Sequence, residues 1–132
     1  LGQLGQLRHL NLSICGLDTL PESLQRCTKL QHLDLFGNRL LRLPDWVGQL
    51  HSLETLYLGS NPLQSVPPSL AGALTLNWLN MDSTQIKTVP AAVSAMPSLR
   101  RLSLRLTPAA RDSEVRESLL SRTQLTECGL DV

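Results

Sequence analysis

The chain has 132 residues, 42% of them apolar and 17% charged, which is enough apolar side chain to pack a core at the length of one domain. Twelve Lys and Arg against eleven Asp and Glu leave a formal charge of +1, which argues against a dedicated nucleic-acid binder. No run of about 18 apolar residues is present to span a membrane.

Leu1 is not an initiator Met, and no basic stretch leads into an apolar run as in a signal peptide, so the chain reads as a fragment. Leu7, Leu10 and Leu12 then open a pattern that returns as Leu30, Leu33 and Leu35. It returns again as Leu53, Leu56 and Leu58, as Leu76, Leu79 and Met81, and as Leu99, Leu102 and Leu104, always 23 residues on. The last two apolar residues of each set are two apart, so they share the inward face of a short strand while their neighbours face solvent. Three positions past the last apolar residue of each set stand Cys15, Asn38, Asn61, Thr84 and Thr107, a column whose side chains can hydrogen-bond the turn backbones of adjacent coils. Asn fills only its middle, which predicts looser turns at both ends. Leu17, Leu40, Leu63 and Ile86 turn back inward.

The second half of the unit repeats too, as Leu20-Pro21, Leu43-Pro44, Val66-Pro67 and Val89-Pro90. Each pair is followed three residues later by Leu24, Val47, Leu70 or Val93. Proline removes a backbone donor, so these steps predict a turn or an irregular convex segment. After Thr107 the pattern ends. Thr107-Pro108 reads as an N-cap with Pro at the first helical position, and Val115, Leu119 and Leu120 form an apolar stripe at helical spacing. Leu125, Leu130 and Val132 offer a final short strand beside Leu104.

This pattern resembles the leucine-rich repeat family, in the subtype with a Leu-Pro step and a 23-residue unit, over residues 7–107. The resemblance implies an α/β solenoid: a curved array with a parallel sheet on its concave side, an irregular convex side and a C-terminal helical cap. The expected organisation is a partial unit over residues 1–6, units starting at 7, 30, 53, 76 and 99, and a cap over residues 108–132. Leu1 and Leu4 match Leu24 and Cys27, which places the start inside a repeat and implies further units upstream. A unit cannot bury its apolar face alone, so units must stack, and an edge left open at Leu1, Leu4 and Leu7 would favour self-association.

Catalytic and metal chemistry find little support. Cys15 and Cys27 read as buried thiols, and no clustered Cys pairs occur at either end, which points to a reducing, cytoplasmic setting. His9 and His32 share a column on adjacent strands with Asp34 nearby, but two imidazoles and one carboxylate on an open face make a thin metal site. No phosphate-binding loop or zinc spacing is present. No cofactor is expected, and the segment reads as a non-enzyme.

The outward strand positions therefore carry the functional reading. Three of the four aromatic residues, Phe36, Tyr57 and Trp78, fall there on a diagonal across three strands, while Trp46 sits on the convex side as a core shield. Asp34, Glu54 and Asp82 flank the diagonal, and Arg100, Arg101 and Arg105 cluster on the last strand. Those arginines either hold an acidic segment of a partner or pair with Asp82, Glu114 and Glu117. The candidate binding set is Phe36, Tyr57, Trp78, His32, Asp34, Asn80, Asp82, Arg101 and Arg105. Five strands span roughly 20 Å and offer roughly 600–900 Å², about one side of a standard protein interface. The expectation is a monomeric protein–protein interaction module that binds a protein or peptide, with no nucleic acid and no membrane span. The resemblance extends to intracellular signalling scaffolds and to bacterial effectors, some with a ubiquitin ligase domain, so the alternative is the substrate-recognition part of such an enzyme.

Overall fold

The computed structural model describes residues 4–94, 96–120 and 127–129. Each unit contributes one three-residue strand: β1 (His9–Asn11), β2 (His32–Asp34), β3 (Thr55–Tyr57), β4 (Trp78–Asn80) and β5 (Arg101–Ser103). A sixth strand, β6 (Glu127–Gly129), completes a parallel sheet whose spatial order follows the sequence. The register is the repeat itself, with Leu33 opposite Leu56, Leu56 opposite Leu79 and Leu79 opposite Leu102. These central leucines are at most 1% exposed, and β1 to β4 alternate in and out around the central position, as a half-buried strand must, while in β5 Ser103 is buried as well. A final strand beside the fifth unit is present, but Leu125, Leu130 and Val132 lie outside the described residues, as does Leu1.

Leucine dominates the interior, with Val, Met, Ile, Ala and Cys27 filling the rest. Leu30, Leu53, Leu76 and Leu99, like Leu58, Leu63, Leu70 and Leu104, are fully buried, each contributing about 2 kcal/mol of transfer free energy. The first coil packs less tightly: Leu7, Leu10, Leu12 and Leu17 are only partly buried against the same core.

On the convex side the turns expected after the prolines are short helices. Short 3₁₀ helices run over Glu22–Arg26, Asp45–Gln49 and Pro68–Gly72, and the fourth unit has a one-turn helix, α1 (Ala91–Ser94). The reason lies in the three-residue spacing after each proline. The proline carbonyl accepts the amide of the apolar residue three on: Pro21 from Leu24, Pro44 from Val47, Pro67 from Leu70 and Pro90 from Val93, at 3.0–3.2 Å. The chain of such bonds continues from Leu24 to Cys27 and from Cys27 to Leu30. An apolar residue at every third position thus faces the core, and the prolines lose only donors that this geometry never uses. Gly48 permits adjacent turns to close up, since a Cβ there would lie 1.9 Å from the Ser69 carbonyl oxygen. Trp46 is partly buried against the core, as a shield would be.

The ladder column holds the opposite turns. Asn38 Oδ1 accepts the amides of Cys15 and Leu17, and its Nδ2 donates to the carbonyls of Leu12 and Leu35. Asn61 repeats this against Leu40, Leu35, Leu58 and Gly59. Thr84 and Thr107 each donate to the carbonyl three residues back. Cys15 departs from its expected burial: it is exposed, because it sits in the outermost described coil. Its thiol donates to the Ser13 carbonyl at 3.4 Å. One position before the ladder, Ile14, Gly37, Ser60, Ser83 and Leu106 all have φ between 53° and 71°. Ile14 and Leu106 therefore belong to turns rather than to the sheet face. Glycine suits this left-handed conformation, and at Ile14, Ser60 and Ser83 the backbone amide is held by a carbonyl of the next coil.

The cap begins where Thr107 predicts. Its hydroxyl accepts the Ala110 amide at 3.2 Å and starts α2 (Pro108–Arg111). The helix then breaks at Asp112, whose carboxylate accepts the amides of Glu114 and Val115 and starts α3 (Ser113–Leu120). Val115 and Leu119 stand four apart in α3 and share one face, and Leu119 is buried; Leu120, one position on and turned about 100° from Leu119, is 64% exposed and leaves the expected stripe.

Candidate functional site

Three columns of side chains cross the outward face of the sheet, each formed by one residue per unit. The first holds His9, His32, Thr55, Trp78 and Arg101, and neighbours interact at both of its ends. The His9 and His32 rings stack at 4.5 Å between centroids and 17° between planes, and His32 Nδ1 lies 2.7 Å from the Thr55 hydroxyl. The far edge of His32 is 3.9 Å from the Glu54 carboxylate. At the other end, the Arg101 guanidinium lies 4.3 Å from the centroid of the Trp78 ring. Stacked imidazoles aim their lone pairs along parallel planes, which suits a shared metal ion poorly. Among the described residues no three His, Cys, Asp or Glu side chains converge to hold one.

The second column holds Asn11, Asp34, Tyr57, Asn80 and Ser103. Asn11, Asp34 and Asn80 each accept the amide two residues on, at 2.9–3.0 Å. They close the strand end with a side-chain turn. Asp34 and Asn80, nominated from the sequence as binding residues, thus also fix the backbones of Phe36 and Asp82. Tyr57 takes this position in the third unit and instead meets Trp78 edge to face, at 5.9 Å and 78°.

The third column holds Ser13, Phe36, Gly59, Asp82 and Arg105. Asp82 Oδ1 accepts the Arg105 backbone amide at 2.8 Å and the Ser103 hydroxyl, which ties the fourth unit to the fifth. Gly59 was not singled out as a site residue, yet it shapes this face. A Cβ there would lie 3.2 Å from both Phe36 Cδ2 and Asn80 Oδ1, so the missing side chain lets the Phe36 ring lie across the column. The sequence signal was a glycine between two large side chains in one column.

Phe36, Tyr57 and Trp78 accordingly run diagonally over three strands. With Asp34, Asn80 and Asp82 they line an open depression of about 340 Å³. A second, of about 370 Å³, adjoins it and shares Trp78, Asn80 and Asp82, with Arg101, Ser103 and Arg105 on its far side. The structure therefore brings eight of the nine nominated residues to one continuous surface. His32 stands apart in the His9 and Thr55 contacts. Phe36 is 45% exposed, while Tyr57 and Trp78 are half-buried.

Of the described cysteines, Cys27 is fully buried, and burial pushes its thiol above the ordinary value. No helix among the described residues is long and apolar enough to cross a membrane.

A stack of 23-residue coils with a parallel sheet on one side and an asparagine ladder at the turns defines a class of open repeat solenoid. The match to a family model confirms this: the leucine-rich repeat region model covers residues 1–124, and the chain belongs to the leucine-rich repeat family. Three solved structures of similar shape come from bacteria. A leucine-rich repeat protein of Leptospira interrogans superposes with a TM-score of 0.65 at 21% identity, covering 98% of this chain and 44% of its own. An internalin of Listeria monocytogenes gives 0.73 at 18% identity, covering 96% of this chain and 35% of its own. A second internalin of the same organism gives 0.75 at 25%, covering 96% and 53%. The chain thus spans between about a third and a half of these proteins. No curated protein matches the sequence.

Proposed function

We propose that this chain is a protein-binding module whose concave face docks a protein or peptide through Phe36, Tyr57 and Trp78, with Arg101 and Arg105 as orienting charges. One observation carries the reading. In a chain with four aromatic residues, three stand together on the open sheet face and line one depression, although exposed rings are costly and are enriched at binding hot spots. The surface is broad and shallow, which suits a polypeptide better than a small molecule that needs enclosure. The setting proposed for it is reducing and cytoplasmic, with the module acting as a monomer. The same face would serve equally to recognise the substrate of a larger effector enzyme, and the nature of the captured partner separates the two roles.

The test is affinity capture from lysate with the parent chain beside a Phe36→Ala/Tyr57→Ala/Trp78→Ala variant, with circular dichroism showing that both fold. A protein retained by the parent and lost by the variant supports the reading. Equal retention by both overturns it.

A further inference from the structure

We propose that the depression between Phe36, Tyr57 and Trp78 receives a basic side chain, so that the partner is a peptide segment presenting Arg or Lys to it. This inference rests on the docking face proposed above and names the chemistry of its occupant. Charge complementarity is the argument. The six residues that line the depression are three aromatic rings, one amide and two carboxylates, Asp34 and Asp82, with no Lys or Arg among them. Aromatic faces carry negative potential and attract cations, and the carboxylates add to it with the same sign.

The two carboxylates are not equally committed. Asp82 Oδ1 already accepts from Ser103 and from the Arg105 amide, and its Oδ2 lies 3.4 Å from Asn80 Nδ2. Asp34 spends Oδ1 on the Phe36 amide, and its second oxygen has no partner among the described residues. A bound cation would complete it. The molecule also shows that a ring of this cluster takes a guanidinium: Arg101 lies over Trp78 at 4.3 Å. Arg101 belongs to β5, so it approaches from the far side of β4, whereas Asp34, Phe36 and Tyr57 belong to the second and third units. A guest cation on their side has Tyr57 and Phe36 as walls and Asp34 as its counter-ion. An acidic or neutral guest would instead desolvate Asp34 without return.

The test uses a displayed library of random 12-residue peptides, selected on the intact chain, followed by synthesis of the enriched sequences. Each is titrated against the parent, against Asp34→Asn and against the Phe36/Tyr57/Trp78 triple alanine variant. Asn keeps the acceptor that holds the Phe36 amide, as Asn80 does for Asp82, so Asp34→Asn removes charge without removing the turn. The expected result is enrichment of peptides with a shared basic position. Affinity should fall about three- to tenfold in Asp34→Asn, and by a similar factor when the basic residue is replaced by Gln. Peptides that depend on the aromatic residues but carry no basic position, or that ignore Asp34→Asn, overturn this inference and leave the docking face standing. Peptides indifferent to the triple variant, or no enrichment at all, overturn both.

Discussion

Asn61 offers the sharpest test of how the solenoid is held. It is 2% exposed and makes four hydrogen bonds to the backbone of two coils. Two of its partners have other bonds: the Leu35 carbonyl also accepts from Asn38, and the Gly59 carbonyl from the Gly37 amide. Asn61→Ala therefore orphans the Leu40 amide and the Leu58 carbonyl in the interior. At about 1–3 kcal/mol for each buried group left unpaired, the two together cost about 2–6 kcal/mol. Thr84 occupies the same column but bonds only the Met81 carbonyl, so Thr84→Ala should cost about 1–2 kcal/mol. Urea unfolding followed by circular dichroism reads the difference. Equal losses for the two variants would refute the account of the ladder, because side chains at that column would then be interchangeable.

Gly48→Ala should destabilise by about 2–3 kcal/mol or prevent folding, since its Cβ would meet the Ser69 backbone at 1.9 Å; urea midpoints check it. In the cap, Leu119→Ala should cost about 2–4 kcal/mol and Leu120→Ala less than about 0.5 kcal/mol, which thermal unfolding of the two variants would distinguish. Thiol labelling resolved by mass spectrometry should find Cys15 modified in the native state and Cys27 modified only after unfolding. Cys27 titrates above its ordinary value of 9.0 in the folded chain, so the unfolded chain loses that proton first. Its contribution to stability is whole below about pH 9 and fades as pH rises further, and Cys27→Ala should remove that slope. Gly59→Ala should displace the Phe36 ring and weaken partner capture about tenfold at a stability cost of about 1 kcal/mol.

The fold was legible because a 23-residue period is written in side chains that must be buried. Strand leucines, ladder residues and proline steps each recur in register, and a stack of coils is the arrangement that satisfies them together. What the sequence concealed was local. Proline reads as a turn or a break in the pattern, and side-chain periodicity does not show that its carbonyl begins a run of 3₁₀ bonds. The Cys15 position reads as buried in the repeat template, but burial there depends on a neighbouring coil, which the template does not record. Leu120 reads as one more apolar residue of the cap helix, yet it stands one position past Leu119 and off the face that Leu119 shares with Val115, while the Asp112 break ahead of all three is visible only as one acidic residue among several. On the sheet face the diagonal of Phe36, Tyr57 and Trp78 followed from strand register alone. The roles of Asp34 and Asn80 in fixing the strand ends, and of Gly59 beneath Phe36, required side-chain positions.

The central claim is that binding occurs on the concave face through the aromatic diagonal. A photo-crosslinking amino acid placed at position 57 probes it directly, with a second placed at 74, where Leu74 is 69% exposed and lies in the turn that leads from the convex side to β4. The account predicts a crosslinked adduct to the captured partner from position 57 and none from position 74. Adducts from position 74 alone would place the interface off the sheet and contradict it.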